Sequence, residues 1–192
     1  MFKGFIETSI INKAIMKNLV SIELVDMRTF TQDRHNRVDD YPYGGGAGLV
    51  LLAQPVVDAI ESTRTEDSLV VMMTPQGKTF KQDIAYDLAS NVKHLILVCG
   101  HYEGFDERIR DYVDLEISIG DYVLTGGEIA AMAISDAVIR LVNGVITKES
   151  HEDDSFSDGL LEYAHYTKPR EFRGKEVPEV LLRGHHENVR KF

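Results

Sequence analysis

From Ile117 to Glu128 the chain reads Ile-Ser-Ile-Gly-Asp-Tyr-Val-Leu-Thr-Gly-Gly-Glu. A run with three glycines turns sharply and leaves backbone N–H and C=O groups outside any sheet ladder. Ser118 and Thr125 add hydroxyls, and apolar residues fill the spaces between. These are the parts of a ligand site built from main chain. Two more glycine turns stand near apparent strand ends, Thr74-Pro-Gln-Gly77 and Gly100-His-Tyr-Glu-Gly104. Like ends of parallel strands would bring all three to one crevice. None matches G-x-G-x-x-G opening a helix, nor the P-loop, which disfavours a conventional nucleotide site.

Other residues offer more ambiguous chemistry. Tyr41-Pro-Tyr-Gly-Gly-Gly-Ala-Gly48 is an aromatic-flanked loop. It suits close approach to a substrate and stacking of a base, and equally suits a plain connector. The acidic run from Glu152 through Asp153 and Asp154 to Asp158 departs from EF-hand spacing. It reads as a solvated loop or as the source of one positioned general base. A Mg²⁺-dependent hydrolase built on this cluster is a weaker reading. Arg140, near the end of an apolar helix, complements the helix C-terminus or aims its guanidinium fork at an anionic group. His165, His185 and His186 form no zinc pattern, and no second cysteine joins Cys99. Cys99 sits in an apolar run and reads as an inert buried thiol.

Bulk properties fit one main globular domain. The chain has 192 residues, 43% hydrophobic and 27% charged, with a net charge of −10. The longest apolar runs, Leu69 to Met73 and Leu95 to Cys99, are too short to span a bilayer. The N-terminus lacks a signal-peptide pattern, and a single cysteine excludes an internal disulfide. Together these favour a cytoplasmic protein with no membrane partner. The charge is uneven: residues 165–192 carry seven Lys or Arg against four Glu, a net +3, leaving −13 in residues 1–164. A local basic surface is what phosphate binding requires.

The elements that must position these residues follow from periodicity. Phe2, Ile6, Ile10 and Ala14 at i+4 steps predict an amphipathic helix over 2–17. Alternation predicts a strand from Leu19 to Val25. Residues 28–48 read as a long loop, and Val56 to Thr63 as helix. Leu69–Met73 is a buried strand ending in the turn at Thr74–Gly77. Gln82–Val92 is helical, Leu95–Cys99 is a second buried strand, and Glu128–Val142 is a mostly buried helix. Residues 148–159 read as a loop, and the chain after Pro169 as largely irregular. Continuous apolar strands alternating with helices indicate an α/β fold with a parallel sheet covered on both faces.

Taken together, several segments resemble the bacterial tRNA (guanine-N1)-methyltransferases, a family of trefoil-knot SPOUT methyltransferases. They are Val38-Asp-Asp-Tyr-Pro-Tyr-Gly-Gly-Gly46, Pro75-Gln-Gly77, the run from Val98 to Arg108, Ser118 to Glu128, Asp153-Asp-Ser-Phe156 and His165-Tyr-Thr-Lys-Pro169. They run in family order over nearly the whole chain. The resemblance implies a deep trefoil knot forming a site for S-adenosylmethionine. It implies a homodimer with the active site at the subunit interface, and tRNA as substrate. Residues 1–147 would be the catalytic domain, 148–164 an interdomain loop, and 165–192 the start of a tRNA-binding region. The cofactor would contact Thr74, Pro75, Gly100, Tyr102, Ser118, Ile119, Gly120, Tyr122, Leu124, Gly126 and Gly127.

The same resemblance implies methylation at N1 of the guanine 3′ of the anticodon. Asp154 would act as general base, and Arg140 would stabilise charge on O6. Glu103 matches a family acid near the target guanine, with Mg²⁺ admitted as an auxiliary ion. Members of the family also have a short strand ahead of the position where this sequence begins, and a helical domain beyond Phe192. His101 stands where many members carry arginine. A sheet lacking that first strand would leave N–H and C=O groups unpaired. The alternative to an active enzyme is an impaired S-adenosylmethionine-binding fragment that still dimerises.

Overall fold

The computed structural model describes residues 1–147 and 164–182. The chain forms two compact units, Met1–Glu152 and Asp153–Phe192. In the first, β3 (Ser68–Thr79) is the centre of a three-stranded sheet. It is flanked by β4 (His94–Val98) and β5 (Leu115–Ser118), and both pairings are parallel.

Alternation along β3 divides the core. Val71 and Met73 face one side, where they pack with Ile84, Ala85 and Leu88 of α4 (Gln82–Asn91) and with Ala131 and Ile134 of α5 (Glu128–Ile139). Val70 and Met72 face the other, against Val56, Val57 and Ile60 of α3 (Ala53–Thr63) and Ile109 of a 3₁₀ segment, Glu107–Tyr112. A strand buried on both faces needs the continuous apolar run seen here. Fully burying each such side chain stabilises by roughly 1.5–3 kcal/mol. The sheet is thus flanked by helices on both faces, as expected.

Asp114 ties the start of the sheet together. Its carboxylate accepts the Val70 N–H at 2.8 Å and an Arg64 guanidinium N–H at 2.8 Å. Two-residue strands β1 (Asp39–Asp40) and β2 (Val50–Leu51) pair antiparallel. They bracket the glycine-rich loop, so the long 28–48 connector is anchored at its far end. It is also braced internally: Asp33 accepts the His35 N–H at 2.7 Å and pairs with Arg37 at 2.8 Å. The Arg37 guanidinium holds the Asp33 carboxyl well below the usual carboxylate range.

Four expectations are corrected. The helix over 2–17 is two helices, α1 (Phe2–Ile6) and α2 (Ser9–Met16). Thr8 breaks it: the residue is extended, and its hydroxyl donates to the Phe5 carbonyl at 2.6 Å. That bond offers the backbone an alternative to the helix ladder. The break also rotates the buried face, so Ile11 is 1% exposed while Ile10 is 46% exposed.

Leu19–Val25 forms no strand. It lines a groove of about 810 Å³ whose walls include β4, α3 and α5. Alternation alone cannot make a strand without a neighbour to bond. Thr74–Gly77 does not end its strand. The chain leaves β5 after Met73 and returns at Lys78, and both residues pair with Ile117. Gly77 permits this, since a Cβ there would lie 2.4 Å from the Ile117 backbone nitrogen.

The described residues after Pro169 are not largely irregular. In the second unit, β6 (Glu171–Phe172) and β7 (Lys175–Glu176) form a small hairpin, followed by α6 (Glu179–Leu182).

Candidate functional site

The excursion in β3, the segment after β4 and the segment after β5 meet at one end of the sheet. They enclose a cavity of about 360 Å³. Thr74 and Pro75 come from the first segment, and Gly100 and Tyr102 from the second. Ser118, Ile119, Gly120, Tyr122, Leu124, Gly126 and Gly127 come from the third. All eleven expected cofactor residues therefore line the same space, and Glu103 lines it too.

Local bonds shape each wall. The segment after β4 is fixed by β2: the Glu103 N–H donates to the Leu49 carbonyl at 3.0 Å, and the Leu51 N–H to the Gly104 carbonyl at 2.9 Å. Tyr102 sits at φ +59, a left-handed conformation that bulky residues seldom adopt. Ser118, only 6% exposed, uses its hydroxyl in its own turn: it accepts the Gly120 N–H at 3.2 Å and lies 3.1 Å from the Gly120 carbonyl. The segments are strapped to each other where the Gly127 N–H donates to the Gly100 carbonyl at 2.8 Å. A Cβ on Gly127 would come within 2.9 Å of the Cys99 Cα and the Gly100 nitrogen, so the strap needs glycine.

Polar groups rim the opening. Arg110 donates to the Gln76 side chain at 2.5 Å and pairs with Glu107 at 3.2 Å and Glu116 at 3.4 Å. Arg108 grips Asp106 at 2.7 Å, and that hydrogen bond lowers the Asp106 carboxyl below its usual range. His101, which lines the cavity, meets Glu128 of the first turn of α5 at 2.5 Å. Burial first and Glu128 second push the Cys99 thiol up to about 12. Among the described residues, no three His, Cys, Asp or Glu side chains gather as a metal site.

Of the expected catalytic residues that are described, Arg140 is not among those lining the cavity. Asp154 lies outside the described residues, as do Glu152, Asp153, Asp158, His185 and His186. Arg140 caps the C-terminal end of α5, whereas Gly127 at its N-terminal end borders the cavity. Twelve helical residues rise roughly 18 Å. Sequence reasoning passed over Phe105, Arg110 and the His101–Glu128 pair. Only Glu128 carried a signal, as an acid in the first turn of a helix.

A family model described as tRNA (Guanine-1)-methyltransferase TrmD matches residues 1–192. The chain belongs to this family. It is 60% identical over 190 residues to the tRNA (guanine-N(1)-)-methyltransferase of Malacoplasma penetrans (strain HF-2), covering 99% of this chain and 84% of that relative. It is 55% identical over 186 residues to the enzyme so named from Clostridium botulinum (strain Kyoto / Type A2), covering 96% and 77%. It is 52% identical over 189 residues to that of Spiroplasma kunkelii, covering 98% and 71%. Membership in the tRNA (guanine-1)-methyltransferase family makes the chain a methyltransferase, and the expected resemblance is borne out. No helix among the described residues is long and apolar enough to cross a membrane.

Proposed function

We propose that this chain transfers a methyl group from S-adenosylmethionine to N1 of the guanine 3′ of the anticodon in tRNA, with the cofactor held in the three-segment cavity. The observation that carries this reading is the meeting of all eleven expected cofactor residues around one space of ligand size. Main-chain groups of the glycine segments suit the edge of an adenine, and Ile119, Tyr122 and Leu124 suit its faces. The trefoil knot belongs here too. The Gly127-to-Gly100 strap, which draws the post-β5 segment against the post-β4 segment, supports it.

S-adenosylmethionine supplies an electrophilic methyl group, so no covalent bond to the protein is needed. Guanine N1 carries a proton and is a poor nucleophile until that proton leaves. Asp154 accepts it as general base. Negative charge then grows on O6, where the Arg140 guanidinium stabilises it. Glu103 lies at the cavity wall, close to where the base must enter. A Mg²⁺ ion, when bound, would be held by Glu103 and would supply positive charge beside the substrate. The distance along α5 from the cavity to Arg140 favours a homodimer in which the second copy supplies Arg140.

Asp154→Asn removes the base and keeps the shape. Methylation of tRNA is expected to fall about 10²–10⁴-fold with unchanged S-adenosylhomocysteine binding. A fully active variant would remove Asp154 from this role. Arg140→Lys keeps the charge without the fork and is expected to lose most of the rate as well.

A further inference from the structure

The three walls of the cavity are held in different ways. Backbone bonds fix the segments after β4 and β5: the Glu103 N–H donates to the Leu49 carbonyl, and the Gly127 N–H to the Gly100 carbonyl. The excursion Thr74–Gly77 pairs with neither neighbouring strand. The ladder to β4 stops at Met72, and the ladder to β5 passes from Met73 to Lys78. Side chains shape the excursion instead. The Thr74 hydroxyl accepts the Gln76 N–H at 3.4 Å, a weak bond at that length. The stronger hold comes from outside: Arg110 Nη2 donates to Gln76 Oε1 at 2.5 Å. The guanidinium is itself aimed, with Nε against Glu107 at 3.2 Å and Nη1 against Glu116 of β5 at 3.4 Å. All three nitrogens are engaged, which a planar fork allows and a single ammonium does not. Glu107 is 81% exposed and anchors weakly, whereas Glu116 is 26% exposed and ties the fork to the sheet.

We propose that Arg110 is a positioning residue for the cofactor: through Gln76 it holds the Thr74–Gly77 excursion in place, so that Thr74 and Pro75 stand as a ready-made wall of the cavity. Arg110, Gln76, Thr74 and Pro75 all line that space. The proposal rests on the reading of this cavity as the S-adenosylmethionine site. Arg110 touches no reacting atom in this role. Without its bond the excursion keeps its two ends, at Met73 and Lys78, and loses the tie at its middle. Binding must then order the excursion, and that cost appears as weaker affinity.

The test is a double-mutant cycle read by calorimetric titration of the whole chain with S-adenosylhomocysteine. Arg110→Ala is expected to weaken binding about three- to tenfold, the scale of one partly exposed charged hydrogen bond. Gln76→Ala is expected to weaken it at least as much. Arg110→Ala added to Gln76→Ala is expected to cost nothing further, because the tie is already gone. In tRNA methylation, Arg110→Ala is expected to raise KM for S-adenosylmethionine more than it lowers kcat. Unchanged affinity in Arg110→Ala overturns the positioning role and leaves the cofactor site standing. So does an equal loss in both backgrounds, which would mean that Arg110 acts without Gln76. A fall in kcat at unchanged KM also overturns it. A folded unsubstituted chain that binds no S-adenosylhomocysteine overturns the cofactor site itself. Should Arg110→Ala fail to fold, Arg110→Lys decides in its place. It keeps a positive charge for Glu107 and Glu116, which draw the ammonium from Gln76, so the same loss and the same non-additivity are expected.

Discussion

Cys99 shows how a single side chain is governed by its surroundings. It follows β4 directly and lies near the cavity, a position where a nucleophile would be useful. Burial and the nearby Glu128 carboxylate nevertheless hold its pKa up at about 12. The thiolate is the reactive form, so the folded protein is expected to resist a disulfide reagent at about pH 8 and to react once unfolded. Rapid labelling of the native state would contradict this. The sign for stability follows. Only the unfolded chain gives up the proton near the ordinary thiol value of 9.0, so stability should fall as pH rises from there toward about 12. Thermal melts across that range check it. The thiol's inertness was legible in the sequence from its apolar neighbours. The His101–Glu128 contact was not, because 27 residues separate the partners and no periodicity links them.

At the scale of elements, the sheet depends on polar anchoring as well as apolar packing. Asp114→Ala would remove the acceptor for the Val70 N–H and the partner of Arg64. The expected loss is about 1–3 kcal/mol in chemical denaturation. Asp114→Asn keeps an acceptor and should cost less; equal losses would mean that the ion pair matters more than the ladder N–H. Elements declared by continuous apolar runs or by helical spacing were readable in advance: β4, α4 and α5 lie within a few residues of expectation. Those needing a partner were not. Leu19–Val25 has the alternation of a strand but borders a groove instead of a neighbour. The break at Thr8 depended on one hydroxyl bond, which spacing does not reveal. The glycine segments were legible as ligand-binding turns, because backbone freed from a ladder is written in the residue types. That Thr74–Gly77 is an excursion inside β3 became visible only with its return to Ile117.

For the whole molecule, the separation between the cavity and Arg140 makes a claim about assembly. If a second copy supplies Arg140, two inactive variants should rescue each other. Leu124→Glu blocks the cavity and leaves Arg140 intact; Arg140→Ala does the reverse. In a mixed dimer one site would pair an open cavity with an intact arginine. Mixing the two is expected to restore tRNA methylation to a fraction of the unsubstituted level. No rescue in a verified mixed dimer would place both groups in one chain. The central claim is narrower and comes first: the three glycine segments hold S-adenosylmethionine. Titrating the chain with S-adenosylhomocysteine tests it most directly. Saturable binding near one site per chain, abolished by Leu124→Glu, is the predicted result. A folded protein by circular dichroism that binds no S-adenosylhomocysteine would contradict it.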